Sequence, residues 1–479
     1  MAVVQRVLGV MLMALSLSML PPFGVSLWYQ DGETRHFLWS LGVMFGAGLL
    51  IWFPVRGRRH ELRTRDGFII VTLFWVALGS LSALPFMFGP HLSFTDSLFE
   101  SISAFTTTGA TVIVGLDQLP RSILYYRQQL QWLGGMGIVV LAVAVLPMLG
   151  IGGMQLYRAE TPGPIKDDKL TPRIQQTAQT LWYLYIGLTV ACALGYWLGG
   201  MSLFDAIGHS FATVSTGGFS THDASMAYFH SLPIEVVANV FMLAGGINFA
   251  IHYLAWRSRN PWHYLRDLEV RTFLLVVAAV TLVCTAVLLL TGHHPSAAVA
   301  LRESAFQVIS IITSTGFTTA DFGSWPLLLP ALLIFSSFIG GCGGSTAGGM
   351  KVMRFILLYQ QLVREVKQLL HARAVVPVKV QGRVVPTRVA QAVWGFFAIY
   401  IAMFCLMLLA VMATGLDQVT AFAAVATCMN NMGPGLGELS SNFTAASPVA
   451  KWIFTAAMLL GRLEVYTVLV ILTPEFWRD

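Results

Sequence analysis

Hydroxyl-bearing residues followed by a glycine recur along this chain at Thr106-Thr107-Thr108-Gly109, Val214-Ser215-Thr216-Gly217 and Thr313-Ser314-Thr315-Gly316, with an altered fourth copy at Asn430-Asn431-Met432-Gly433. The chemistry open to such segments is to replace the water around a cation, because backbone carbonyls supplemented by hydroxyls bring oxygens to close range without a fixed charge. Gly109, Gly217, Gly316 and Gly433 permit backbone angles that turn carbonyls to a common axis and let neighbouring chains approach closely. No ring of carboxylates accompanies them, which argues against a divalent cation and for a large monovalent one. The glycines are 108, 99 and 117 residues apart (109 to 217, 217 to 316, 316 to 433). That is too long for a solenoid repeat of about 20 to 50 residues, and it suits two spanning helices around a re-entrant loop. Four such modules surround a single axis.

Each glycine segment needs an element that carries it to mid-membrane. Ser93-Phe94-Thr95-Asp96, Ser202-Leu203-Phe204-Asp205 and Thr414-Gly415-Leu416-Asp417 match the capping pattern [ST]-x-x-[DE], which satisfies free N–H groups at a helix start. The third module keeps the acid, Glu303, with Ala300 at the cap position. The acids precede the repeated glycines by 13, 12, 13 and 16 residues (96 to 109, 205 to 217, 303 to 316, 417 to 433). A helix of about ten residues fits there, roughly 15 Å long, half a bilayer. Irregular backbone at that depth is tolerated only when buried in protein or lining a water-filled cavity. The four loops therefore converge, with the negative end of each half-helix dipole aimed inward, which favours a cation. A lone Thr-Gly in a membrane helix is a packing or kink position; the recurrence at matched distance from a capping acid carries the argument.

The composition agrees: 56% hydrophobic residues, 11% charged and a mean hydropathy of +0.69. Apolar runs at Phe68 to Phe88, Leu181 to Leu198, Phe273 to Leu290, Trp394 to Ala413 and Trp452 to Leu472 are long enough to cross a hydrocarbon core. Two full crossings per module, plus a leading pair of helices at about 3–28 and 36–54, give about ten spans. Val3 to Leu20 resembles a signal peptide without a clear cleavage site and reads as a retained first helix.

Lys and Arg gather at Arg56, Arg58, Arg59, Arg63 and Arg65; at Arg158, Lys166, Lys169 and Arg173; at Arg257, Arg259, Arg266 and Arg271; and from Arg364 and Lys367 through Arg373, Lys379 and Arg383 to Arg388. By the positive-inside rule these loops are cytoplasmic, as are both termini. Ser220 to Pro233 and Thr318 to Pro326 hold neither Lys nor Arg, so the glycine loops open outward; Arg121 and Arg127 are a minor exception. The net charge of +6 follows from this topology and does not call for nucleic acid. Cys192, Cys284, Cys342, Cys405 and Cys428 stand singly, as packing residues.

These loops, together with Gly340-Gly341-Cys342-Gly343-Gly344-Ser345-Thr346-Ala347-Gly348-Gly349-Met350-Lys351 and Gly461-Arg462-Leu463-Glu464-Val465, resemble the Trk/Ktr/HKT superfamily of potassium transporters. The leading helix pair brings the resemblance nearest to the bacterial TrkH/TrkG branch. The resemblance implies an all-α polytopic membrane protein of four pseudo-symmetric helix–pore loop–helix modules around one central pore. The expected divisions are a hairpin and loop at 1–67, then modules at 68–150, 151–257, 258–371 and 372–479. It further implies potassium uptake through the bacterial inner membrane, a homodimer, and a cytoplasmic nucleotide-binding regulator of the TrkA type. K+ is the transported ion, and no cofactor is expected in the chain.

Carried over by position, the selectivity filter comprises Thr107, Thr108, Gly109, Ser215, Thr216, Gly217, Ser314, Thr315, Gly316, Asn431, Met432 and Gly433. Met432 departs from the hydroxyl pattern and breaks fourfold symmetry. One glycine per loop predicts few stacked sites and modest discrimination against sodium. Gly340, Gly341, Cys342, Gly343, Gly344, Ser345, Thr346, Ala347, Gly348, Gly349 and Lys351 break a helix midway. They place a flexible loop under the filter, by resemblance an intramembrane gate. The bland readings are a close helix-packing face or a phosphate cradle, which lacks its Gly-Lys-[Ser/Thr]. Arg462, within the last apolar run, is by resemblance a pore-facing positive barrier; a helix-tying salt bridge is the alternative. Asp205 and His209 cap and pack, and no nucleophile–base set points to an enzyme. The rival functions are a sodium-dependent KtrB-type transporter, disfavoured by the leading hairpin, and a secondary transporter of an organic solute.

Overall fold

A computed structural model of the chain describes residues 2–57, 64–140, 170–326, 328–371, 374–381 and 383–477. The basic residues Arg58, Arg59, Arg63, Arg158, Lys166, Lys169 and Arg373, and the division expected at 150–151, lie outside these. The leading helices Ala2–Tyr29 and Thr34–Val55 form a hairpin packed tightly at Gly9 and Gly48, where a Cβ on either would press on the other's carbonyl. Asp31 in the connecting turn accepts from the Ser122 N–H at 2.9 Å, and Gln129 donates to the Ser18 carbonyl at 2.8 Å, which fastens the hairpin to the second helix of module one.

Each module then repeats one plan: a long apolar helix, a half-helix, a loop and a second helix. The long helices are Asp66–Phe88, Gln179–Leu198, Leu268–Leu290 and Thr387–Met412. The half-helices are Phe94–Phe105, Leu203–Val214, Ala297–Ile312 and Gln418–Asn430, long enough for roughly 18–24 Å at 1.5 Å per residue. Their buried faces are small or apolar residues apart from Glu100, His209 and Gln307, which allows the close approach of four helices in one bundle.

Two of the expected caps form as read: Ser93 and Ser202 accept from the Asp96 and Asp205 N–H groups, each at 3.1 Å. The fourth differs. Asp417 itself is the N-cap, accepting from the Val419 and Thr420 N–H groups at 2.9 and 3.1 Å, while the Thr414 hydroxyl turns back to the Val411 carbonyl. The third half-helix starts a turn earlier, at Ala297, without a side-chain cap.

The second helices of modules two, three and four are broken where continuous ones are expected. Among the described residues six helices are long and apolar enough to span, or seven if a bent pair is counted as one. That pair, Leu232–Gly246 and Phe249–Ser258, turns by 102°. In module three Leu328–Ser337 stops and Val352–Leu370 resumes, with the glycine-rich stretch between them. In module four Pro448–Arg462 breaks before Tyr466–Leu472, with Glu464 at φ +50°. The breaks of modules two and three hydrogen-bond each other's backbone (Cys342 N–H to the Gly246 carbonyl, Phe249 N–H to the Gly344 carbonyl), and at that of module four the Arg462 side chain reaches the Thr106 and Thr346 carbonyls.

The caps give a graded expectation. Ser93→Ala and Ser202→Ala each lower stability by about 1 kcal/mol and Asp417→Ala lowers it as well, whereas Thr414→Ala leaves it near the parent, read as thermal unfolding of the detergent-solubilised chain.

Candidate functional site

The four half-helices end in the same backbone figure. Thr107, Thr216, Ser314 and Asn431 lie in the left-handed region at φ +53°, +52°, +55° and +52°, and two residues on stand Gly109, Gly218, Gly316 and Gly433 at φ +82°, +78°, +81° and +99°. Between them the N–H groups of Thr108, Gly217, Thr315 and Met432 each bond five residues back, to the carbonyls of Ser103, Ala212, Ser310 and Thr427, at 2.7 to 2.9 Å. The expected equivalence of Gly217 with the other three glycines therefore does not hold. The second loop runs one residue later: Ser215 is the helix-terminal residue, Thr216 matches Thr107, Gly217 matches Thr108, and Gly218 is the turn glycine. The distance from the cap carries this register in the three capped half-helices, where 16 residues separate it from the glycine (93 to 109, 202 to 218, 417 to 433), while the uncapped third, starting at Ala297, is a turn longer.

The loops meet in a closed ring. A Cβ added at Gly109 would come within 3.0 Å of the Gly217 carbonyl oxygen; at Gly218, of the Thr315 oxygen; at Gly316, of the Met432 oxygen; and at Gly433, of the Thr108 oxygen. Each loop thus lays its left-handed glycine against the main chain of the next, and the fourth returns to the first. Only glycine satisfies both the dihedral and the space. Cross-links reinforce the closure: Asn431 Nδ2 donates to Thr108 Oγ1 at 2.9 Å, and Gln131 clamps the second loop, donating to the Gly217 carbonyl at 2.6 Å and accepting from the Phe219 N–H at 3.0 Å.

Side-chain oxygens are engaged in holding this shape. Thr108 and Thr315 hydroxyls pair with those of Thr106 and Thr313 at 2.7 and 2.8 Å, and Thr216 donates to the Ser215 carbonyl at 2.7 Å. Met432 in the fourth loop has no hydroxyl for such a pairing, and its N–H keeps the same main-chain bond as in the other loops.

Behind the ring, one register position braces each descending limb. Nine residues before the glycine stand Glu100, His209, Gln307 and Ala424 (100 to 109, 209 to 218, 307 to 316, 424 to 433). Glu100 is fully buried, accepts from the Val112 N–H and Thr111 hydroxyl at 3.0 Å, and pairs with buried Arg127 at 2.7 Å. Arg127 also lies 4.1 Å over the Phe219 ring of the second loop. His209 bonds Ser220 Oγ at 3.0 Å, and Gln307 donates to the Ala320 carbonyl at 2.9 Å. In module four Ala424 has no such group. There Asn430 takes the load, accepting from Tyr400 Oη at 2.6 Å and donating to Ser337 Oγ at 2.9 Å. Glu100, Arg127, Gln131 and Asn430 were not foreseen as site residues; the run Arg127-Gln128-Gln129-Leu130-Gln131 inside a membrane helix is the signal that marks them.

Under the ring, on the side of the basic loops, lies the stretch from Gly340 to Lys351. It is largely buried and bonded on every side, where sequence reasoning expects a flexible loop. Gly340, Gly344, Gly349 and Lys351 adopt positive φ. Cys342 and Thr346 N–H groups bond the Gly246 and Gly245 carbonyls at 2.8 and 3.2 Å, which seats the stretch in the 102° bend of module two. It reaches all four modules. Thr346 Oγ1 donates to the Val214 carbonyl at 3.1 Å, the Gly348 N–H to Ser314 Oγ at 2.5 Å, and the Gly349 N–H to the Asn430 carbonyl at 3.1 Å. The first module is joined through Arg462, which donates to the Thr106 carbonyl at 2.7 Å, to Thr107 Oγ1 and to the Thr346 carbonyl at 3.1 Å. A guanidinium against the C-terminal carbonyl of a half-helix meets the negative end of its dipole. Lys351 turns its ammonium back to the Ala347 carbonyl. Ser345 Oγ donates to the Cys342 carbonyl at 2.6 Å, while Gly341 and Gly343 complete the turn. Glu464, beside Arg462, pairs with Arg354 at 2.7 Å.

On the capped side, His222 spans two modules: its Nδ1 meets Asp117 of module one, its Nε2 lies 3.6 Å from Asp205, and the ring stacks on Tyr228 at 3.5 Å. Burial works against the protonated ring, yet the facing carboxylates of Asp205 and Asp117 outweigh it and hold its pKa above the ordinary 6.5.

With this geometry in hand, likenesses to known proteins can be set beside it. The family model TrkH, cation transport protein, matches residues 36–478. The chain is 54% identical over 478 residues to the Trk system potassium uptake protein TrkH of Vibrio parahaemolyticus, and 52% identical over 478 residues to that of Escherichia coli K12, with 99% of each chain covered. It is 44% identical over 479 residues to the Trk system potassium uptake protein TrkG of E. coli K12. The crystal structure of the potassium transporter TrkH from V. parahaemolyticus superposes with a TM-score of 0.93 at 50% identity, covering 100% of this chain and 99% of that one.

A raised pKa stabilises the fold fully below His222's unfolded value and ceases to do so as pH rises through the folded one. The melting temperature of the parent is therefore expected to exceed that of His222→Gln at about pH 6 and to converge with it at about pH 9.

Proposed function

The chain belongs to the TrkH family of cation transport proteins, and we propose that it is the channel-like, ion-translocating membrane subunit of a Trk-type potassium uptake system. In this reading the basic loops face the cytoplasm of a bacterium, the capped side faces outward from the inner membrane, and both termini are cytoplasmic. The chain works as a homodimer with a nucleotide-binding regulator of the TrkA type on its basic side. It transports K+, needs no cofactor of its own and is not an enzyme. The division at 67/68, 150/151, 257/258 and 371/372 belongs to the same reading.

The observation that carries the proposal is the closed ring of glycine–main-chain contacts among four loops of one polypeptide. An ion entering from the capped side descends between the ends of the four half-helices, whose dipoles present their negative ends to it, and exchanges water for main-chain oxygens. The filter in this reading comprises Thr107 to Gly109, Thr216 to Gly218, Ser314 to Gly316 and Asn431 to Gly433. Rigid braces behind each loop keep the oxygens from collapsing on a smaller ion, which is how a ring without fixed charge favours potassium. The stretch Gly340 to Lys351, bonded across the underside of all four loops, blocks the exit and is the gate. Arg462 pins gate to filter. An organic-solute carrier has no use for a fourfold ring of this size.

The test separates the ring from its neighbours. Gly218→Ala is expected to abolish rubidium uptake and growth of an uptake-deficient cell at low potassium, because its Cβ has only the Thr315 main chain to displace. Gly217→Ala meets instead the end of the Gln131 side chain, which can move, and retains measurable uptake. Equal uptake by both variants and the parent would count against the ring.

A further inference from the structure

We propose that Glu269 is the positioning residue that holds the intramembrane loop closed, an inference that rests on reading Gly340 to Lys351 as the gate. Glu269 stands at the start of the long helix Leu268–Leu290 and is 2% exposed. One carboxylate oxygen accepts two main-chain N–H groups, that of Gly343 at 2.7 Å and that of Met353 at 3.1 Å. Gly343 lies within the loop and Met353 in the first turn of the helix that follows it. A single oxygen thus ties the loop to its own exit from the side opposite the ring. The ring side holds the loop by Thr346, Gly348 and Gly349; the basic side holds it by Glu269. Sliding of the loop out of the pathway requires that both sets part.

The setting suits an anchor. Next to Glu269, Asp267 caps the helix by accepting from the Val270 N–H at 3.0 Å, and its other oxygen accepts from Gln381 Nε2 at 3.0 Å. Gln381 sits in the turn of the small hairpin formed by Lys379–Val380 and Arg383–Val384, whose Val380, with the flanking Val378 and Val385, packs with Met353, Leu357, Val389 and Val393. The anchor is therefore continuous with an element on the basic face, where a regulator has access. Buried donors stripped of a charged acceptor are costly to leave unmade, so loss of the carboxylate destabilises the closed loop more than a loop that has moved into contact with water.

Cys342, buried in the loop beside this anchor, reports its position. In inside-out vesicles bearing the full chain with Cys405→Ala and no regulator, a charged maleimide is added and rubidium flux is read in parallel. Glu269→Ala is expected to speed Cys342 labelling and flux by roughly tenfold, the equivalent of one unsatisfied buried donor, while Cys192, Cys284 and Cys428 stay unlabelled. Glu269→Gln, whose amide oxygen accepts the same two N–H groups, restores the slow labelling of the parent. Should Glu269→Ala not reach the membrane, Met353→Pro removes one donor at a first-turn position that tolerates proline, and is expected to speed labelling likewise. Unchanged labelling, equal labelling of all four cysteines, or a Glu269→Gln variant that labels as fast as Glu269→Ala each overturns the anchor. Faster labelling of Cys342 with unchanged flux overturns the gate reading instead.

Discussion

The structure turns on a contact between a glycine and a peptide carbonyl, made four times over. At each one a left-handed glycine in one loop abuts the residue before the corresponding glycine of the next. Such a contact is weak by itself and has no room for adjustment, since a single methyl group would force main chain against main chain. Everything around it serves to bring four such pairs together at once. A common spacing from cap to glycine in the three capped half-helices sets the depth, the buried braces set the tilt of each descending limb, and the long helices supply the wall.

The ring is fourfold in backbone only. Its supports are four different solutions to one requirement: an ion pair of Glu100 and Arg127, a histidine on a serine hydroxyl, a glutamine on a carbonyl, and in the last module an asparagine held by Tyr400 and Ser337. The first is the most exacting, because removal of one partner of a buried ion pair leaves an uncompensated charge. A tetramer of identical chains would have to use one brace for all; a single chain is free to vary them, and the altered fourth loop with Met432 is tolerated for that reason.

Much of this was legible in the chain. The hydroxyl–glycine recurrences, the Ser93 and Ser202 caps and the break at Gly340 to Gly349 are local patterns, and local patterns survive folding. What was not legible depended on distance or on ambiguity. The pair Gly217-Gly218 offers two glycines where one is needed, and hydroxyl spacing selects the wrong one; the spacing from the caps at Ser93, Ser202 and Asp417 resolves it. Asp417 takes the cap position itself because Thr414 turns its hydroxyl to the preceding helix. The breaks at 246–249 and 462–466 have no proline beside them, so hydropathy passes over them; they are imposed by the loop seated in the bend and by Arg462. Glu100 and Arg127 are 27 residues apart and come together only through the tertiary packing of module one.

Arg462 touches two things at once, the carbonyl that ends the first half-helix and the carbonyl of Thr346 in the loop beneath. Withdrawing that loop costs the guanidinium one of its acceptors and deprives the Val214, Ser314 and Asn430 ends of the donors they accept from. On the gate reading proposed above, the ring in a conducting molecule is a less constrained object than the ring in the blocked one. Throughput and fidelity are then settings of a single mechanical coordinate, and a substitution that raises one will draw down the other even when it lies well away from any ion ligand.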